Sequence, residues 1–364
     1  MAEKLESIFG DYASNANLQA IINRSLERFN RPWFPRRFRW GLQRNELTFA
    51  TVLGASRIAS LASIVDRDST TPLRARQTLS KVNGEVPAIR HMRPLNESEM
   101  RAYLTLGDLA TRNGGINPAL DLIFNDIKFV GEGTEARIDD FVAQGLSKGY
   151  VEITTASNAD GVTMGETIDL FLPAENKLVS SGNWQTANFD IIGEITTIVS
   201  DAQGRGLAFE TILIDQLLWN IIRNNTKLQS FLSAFYNPGS NKTYAMTLEN
   251  LNTAMTANGL PVFEIVNIAQ MVEDDTKQRP YRPWKRENVT FVPAGELGVI
   301  HNAYAIEKLR PATGVNYADY NRTLISKWST NEPVREFTKA ELNAFPGFEA
   351  IEQIVILHTD GAAW

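Results

Sequence analysis

Lys327–Thr338 reads KWSTNEPVREFT, followed closely by Ala344-Phe345-Pro346 and by the apolar run Ile351–Leu357. It is the most specific run in the chain, with a tryptophan, a proline and an arginine set before Glu336-Phe337-Thr338. Spacing alone attaches no function to it. Glu349–Thr359, EAIEQIVILHT, reads as a strand. Working back, Asn288–Val292 and Val262–Ile268 read as strands, and residues 273–287, EDDTKQRPYRPWKRE, as a charged, proline-bearing loop. Thr211–Ile214 reads as a short buried strand, with Asp215 placed to cap a helix. That helix is expected to carry Leu217, Leu218, Ile221, Ile222, Leu228, Phe231 and Leu232 at helical spacing. Phe189–Val199 and about Thr247–Asn258 are further helix candidates, the second stopping at Gly259.

Further upstream, Thr134 is expected to cap a helix whose buried face is Ile138, Phe141, Val142 and Leu146. Lys148 and Gly149 end it, and YVEITT (150–155) and ETIDLFL (166–172) then read as paired strands. Residues 96–131 look mixed and partly helical. From Thr48 to Leu95 apolar clusters are thin, with short β-prone runs at Thr48–Leu53, Leu61–Val65 and Val86–Arg90. Two extended limbs of about 20 residues, at roughly 3.3 Å each, would reach ~65 Å. A long two-limbed loop leaving the body is therefore expected, with disorder as the alternative. Near the start, Leu18, Ile21, Ile22, Leu26 and Phe29 can line one side of a short helix, which Pro32 and Pro35 stop from continuing.

The 364 residues are 43% hydrophobic and 21% charged, ordinary for a globular protein and enough for a sizeable core. No run approaches the roughly 18 apolar residues of a membrane span. The first residues, MAEKLESIFGDYASN, lack the pattern of a secretory signal. With no cysteine there are no disulfides and no thiolate chemistry. The net charge of −6 is uneven: residues 1–94 hold 15 basic and 8 acidic residues, net +7, and the remainder 21 and 34, net −13. Within the basic part, residues 30–44 read NRPWFPRRFRWGLQR, so Trp33, Arg36, Arg37, Arg39, Trp40 and Arg44 form a dense arginine and aromatic run. A basic arm on an acidic body can bind copies of itself head to tail, or bind an outside polyanion such as nucleic acid.

Catalytic patterns do not emerge. His91, His301 and His358 lie in different elements and form no ligand cluster. Gly131-Glu132-Gly133 is a weak match to a phosphate loop. No GxSxG, HExxH or Walker pattern occurs. Asp139-Asp140 and Asp274-Asp275 are adjacent, so their side chains diverge, and they read as solvated surface. Neither an enzyme nor a cofactor is expected.

The run from Trp328 through Pro333 and Arg335 to Glu336-Phe337-Thr338, with Pro346 and the apolar stretch beyond, resembles the end of the major capsid protein E family of lambda-like tailed phages. Upstream, Ser60–Val65 resembles that family's outgoing loop limb, Leu79–Pro94 its return limb, the helix into YVEITT its long helix and hairpin, and Trp184 through ETILIDQLLWNIIR its central α/β part. Residues 1–30 match little. The resemblance implies an α+β Hong Kong 97-type capsid fold. Its parts would be an N-terminal arm (1–42), an E-loop (43–95), a discontinuous peripheral domain with a spine helix (96–180 and 310–364) and an axial α/β domain (181–309). It further implies a phage shell of pentamers and hexamers that encloses DNA in the virion, assembled in the host cytoplasm. Expected partners are other copies, a portal protein and a decoration protein where a shell carries one, with no membrane. The chain shows no evident extra scaffold domain, so a separate scaffolding protein is expected. In such a shell the arginine and aromatic run, with Arg74 and Arg76 in the E-loop, is expected at subunit interfaces, where arginine and tryptophan are enriched. The rivals are an encapsulin-like compartment of the same fold and a basic-armed nucleic-acid-binding protein.

Overall fold

The computed structural model describes residues 5–7, 9–53, 80–102, 105, 118–159, 166–238, 245–274 and 277–362. Leu61–Val65 and the tip of the expected two-limbed loop lie outside them. The chain divides into two compact units. One comprises Met1–Phe49, Asn83–Asp139 and Val299–Gly347, the other Ala50–Val82, Asp140–Gly298 and Phe348–Trp364.

The first unit is organised by one 14-residue strand, Val334–Gly347. Thr323–Asn331 pairs antiparallel with it, from Asn331 opposite Val334 to Leu324 opposite Glu341. The stretch quoted first is therefore a hairpin that turns at Glu332-Pro333. Ala88–Asn96 also pairs with the strand, from Asn96 opposite Arg335 to Ala88 opposite Asn343. Gly298–Ala303 pairs with its end; Phe38–Arg44 and Asn316–Tyr320 stand at the two ends of the strand order, and Ala88–Asn96, off that order, is a further edge among the described residues. The core lies between sheet and helices: Leu18 and Ile22 of the N-terminal helix Asn15–Arg24 meet Ile123, Ile127 and Val130 of the long helix Pro118–Lys148, with Ile325, Ala340 and Tyr320 from the sheet. The N-terminal helix ends before Leu26, which is exposed. It also covers the outer strand: Tyr317 N–H donates to Asn15 Oδ1 (2.7 Å), Asp319 N–H to Gln19 Oε1 (2.8 Å), and Gln19 Nε2 to Asp319 O (3.0 Å).

A charged pair sits inside this hairpin. Lys327 and Glu336 side chains are each 1% exposed, with Nζ 3.5 Å from Oε1. Lys327 Nζ donates to Thr338 Oγ1 (2.9 Å) directly across the strand pair and lies over the Phe9 ring. Ser7 Oγ donates to Glu336. Burial pushes the Lys327 amine down, and the Glu336 and Asp126 carboxylates draw it back up. A buried charge that loses its partner typically costs about 3–5 kcal/mol, whereas an apolar pair of similar volume is often neutral or stabilising. Lys327→Met is therefore expected to lower unfolding free energy by about 3–5 kcal/mol in urea titration. Replacing Lys327 and Glu336 together by methionine should recover most of that loss.

The second unit carries a five-stranded mixed sheet in the order Lys177–Val179, Val355–His358, Asn288–Val292, Thr211–Asp215, Val262–Val266. Its core gathers Trp184, Ile212, Ile214, Leu218, Phe263, Phe291 and Leu357. Helices Ile191–Gly204, Gln216–Ile222, Thr226–Tyr236 and Leu248–Ala257 each start on a side-chain cap, from Asp190, Asp215, Asn225 and Thr247. The continuous helix expected after Asp215 is two helices. Asn225 breaks it by accepting from the Lys227 and Leu228 N–H groups while donating to Thr186 O and Phe189 O. Residues 273–287 are not all loop: Gln270–Asp274 and Lys277–Tyr281 form a hairpin. Tyr150–Ile153 and Glu166–Asp169 pair as expected.

The long helix starts by Pro118, not at Thr134. Thr134 lies inside it, with Oγ1 donating to Gly131 O (2.8 Å). Gly131 and Gly133 are helix-interior positions rather than a phosphate loop. A Cβ at Gly133 would stand 2.1 Å from His91 Nδ1, and one at Gly131 3.0 Å from Tyr320 Cδ1. Alanine favours an isolated helix over glycine by about 1 kcal/mol. Gly133→Ala should nonetheless lower the subunit's melting temperature, because the His91 ring must be displaced; an unchanged or higher value would contradict this packing.

Candidate functional site

The arginine and aromatic run is held by the long helix. Asp139 Oδ2 accepts the Trp33 N–H (2.9 Å) and Oδ1 the Phe34 N–H (2.7 Å). Two turns back, Glu132 accepts from the Asn30 N–H (2.6 Å) and from Asn30 Nδ2 (3.2 Å). Pro35 falls in a tight turn, Phe34–Arg36, after which Phe38–Arg44 leaves as a strand. Trp33, Phe34 and Phe38 are buried in their own unit, and Trp40 is half-buried edge-on against Phe34, ring centroids 5.4 Å apart. The arginines behave differently. Arg36, Arg39 and Arg44 are exposed and Arg37 is half-buried. The expected set thus splits: Trp33 is buried and Trp40 half-buried, whereas Arg36, Arg39 and Arg44 are exposed. Arg74 and Arg76 lie outside the described residues.

Asp139 and Asp140 are buried, not solvated as the sequence suggested. Burial pushes the Asp139 carboxyl up to about 6, opposed by the hydrogen bonds from Trp33 and Phe34. Burial likewise raises Glu135, which accepts from Tyr320 Oη (3.0 Å) and Asn321 Nδ2 (2.6 Å), and Asp126, which lies 3.4 Å from Arg93 of strand Ala88–Asn96. Sequence reasoning missed these acids as anchors. The signal was present, since Glu135, Asp139, Val142 and Leu146 share one helix stripe.

The histidines are packed. His91 stacks near Phe129, His301 on Phe49, and His358 lies between Asn288 and Asp360. Among the described residues no group of three His, Cys, Asp or Glu could hold a metal ion, and no helix is long and apolar enough to cross a membrane.

The family model for phage major capsid protein E matches residues 30–359. The chain belongs to that family. It is a tailed-phage major capsid protein, a structural and non-enzymatic component of the virion's capsid shell. Among solved structures, a prophage protein of E. coli CFT073 assigned as a capsid protein is similar at 11% identity and TM-score 0.56, covering 98% of this chain and 99% of its own. A phage-related protein of Bordetella bronchiseptica RB50 is similar at 11% identity and TM-score 0.56, with coverage of 97% and 99%. The mixed α+β fold of this capsid protein is therefore the one these phage proteins share. No curated protein matches it in sequence.

Because Asp139 holds its proton more tightly in the folded subunit than a free carboxyl would, its contribution to stability declines as pH rises from about 4 to about 6. Asp139→Asn should flatten that dependence, shrinking the pH 4 to pH 7 stability difference by up to ~3 kcal/mol. Asp139→Ala leaves two buried N–H groups without an acceptor and should cost about 2–3 kcal/mol at pH 7, read by denaturant unfolding.

Proposed function

We propose that copies of this capsid protein form the pentamers and hexamers of an icosahedral shell that encloses double-stranded DNA. Residues 1–42 act as the arm, 43–95 as the E-loop, 96–180 with 310–364 as the peripheral domain, and 181–309 as the axial domain. The arm's arginines, with Arg74 and Arg76 of the E-loop, meet carboxylates on the acidic bodies of neighbouring copies. Trp33 and Trp40 stiffen the run from which those arginines reach out. One observation carries this reading: the backbone of Trp33 and Phe34 is fixed on Asp139 while Arg36, Arg39 and Arg44 stay exposed. A rigid base with outward charges suits recognition between complementary surfaces, because little further ordering is needed on binding. Many modest contacts, multiplied by closed symmetry, then stabilise the shell.

Assembly proceeds in the host cytoplasm with a separate scaffolding protein and a portal protein, and a decoration protein joins where the shell carries one. Among structurally similar proteins, a satellite phage P4 procapsid contains a size-determination protein and a phage G capsid contains decoration proteins. The net −13 charge of residues 95–364 disfavours adhesion of packaged DNA to the wall.

Replacing Arg36, Arg37 and Arg39 together by glutamate should lower the yield of sedimenting shells roughly tenfold or more while leaving a soluble, cooperatively folding subunit. Electron microscopy of the overexpressed protein supplies the direct check. Normal shell assembly by the triple variant would contradict the interface role, and loss of DNA binding by free subunits would favour a nucleic-acid-binding arm.

A further inference from the structure

Among the described residues two that are not glycine adopt positive φ, Asn321 at 52° and Phe171 at 58°. Asn321 has a local reason. Asparagine tolerates this conformation, and its side-chain amide reaches Glu135. Phe171 has no such reason. Its bulky side chain makes the conformation a strained one, and the residue is 61% exposed.

The surroundings fix it there from both sides. The Leu170 N–H donates to Gly149 O (3.3 Å) and the Phe171 N–H to Asp169 Oδ1 (2.9 Å). Leu170 and Leu172 are buried, each 5% exposed. They occupy space that two glycines of the long helix and its end leave open. A Cβ at Gly145 would come 2.8 Å from Leu170 Cδ1, and one at Gly149 2.9 Å from Leu172 Cδ2. With both leucines drawn inward, the residue between them is turned outward. Glycine or asparagine would suit that backbone without strain and without exposing a ring. The fold of the lone subunit therefore gives no reason for phenylalanine at this position.

We propose that Phe171 is a pre-set contact whose ring is buried against a neighbouring copy of this chain in the shell. The inference rests on the capsid reading, which makes another copy the partner that every subunit meets. A ring held by a rigid backbone loses little freedom when it docks, and aromatic residues dominate such contacts.

The absence of native cysteine makes the test direct. Phe171→Cys provides a unique thiol whose maleimide labelling is compared in free subunits and in purified shells. Labelling roughly tenfold or more slower in shells of the purified chain alone is the expected result. Equal labelling in the two states, or protection that depends on a scaffolding or decoration protein, overturns the proposal. Phe171→Gly gives a second measurement. The relieved backbone should keep or raise the subunit's melting temperature while shell yield falls roughly tenfold or more. Undiminished yield, or a subunit destabilised in step with its yield, overturns the proposal. Failure of the unaltered chain to form shells at all would strike the capsid reading itself, a result distinct from either variant's.

Discussion

The first unit depends on carboxylates placed inside it by one long helix. Burying an acid is costly unless donors meet it, and each of these acids has them. Asp126 faces Arg93 of strand Ala88–Asn96, Glu135 the turn between two sheet strands, and Asp139 the backbone of Trp33 and Phe34. Apolar packing alone is non-directional and would tolerate sliding of these segments along the helix. Hydrogen bonds to a fixed carboxylate do not, so the helix sets register for segments far apart in sequence. The second unit uses the same helix differently. Its last turns supply backbone carbonyls, with Thr290 Oγ1 donating to Leu146 O (2.7 Å) and Asn288 Nδ2 to Ser147 O (2.6 Å).

This arrangement explains the odd composition of the chain's start. A basic, aromatic run invites a nucleic-acid reading because both residue types serve that purpose. In the folded subunit the two types part company. The aromatics pack inward and hold the run's shape, while Arg36, Arg39 and Arg44 are exposed residues. Family membership then makes other copies of the chain the first partner to consider.

Legibility followed apolar periodicity. The sheet and helices of the second unit were largely readable, because Thr211–Asp215 is buried throughout and the caps Asp215 and Thr247 are ordinary ones. The front half of the long helix was not readable, since two glycines and several acids interrupt its pattern, and their reason is tertiary: His91 and Tyr320 occupy the space, and the backbone at Trp33 and Phe34 needs the charge. The strand Phe38–Arg44 was also missed, its prolines and arginines pointing to loop. For the site, residue types were legible and their division into anchors and exposed groups was not, because Asp139 lies more than 100 positions from the backbone it holds.

The N-terminal helix has a further effect through Asn15 and Gln19. Their side chains occupy the Tyr317 N–H and the Asp319 N–H and C=O as another strand would, which blunts that edge as a pairing template. The opposite end, Phe38–Arg44, carries Arg39 and Arg44, both exposed. A molecule made in great numbers must remain dissolved until it meets its kind in the proper orientation. Occupying one edge and placing charge on another disfavours accidental edge-to-edge strand pairing, so crowding before assembly is less prone to end in fibres.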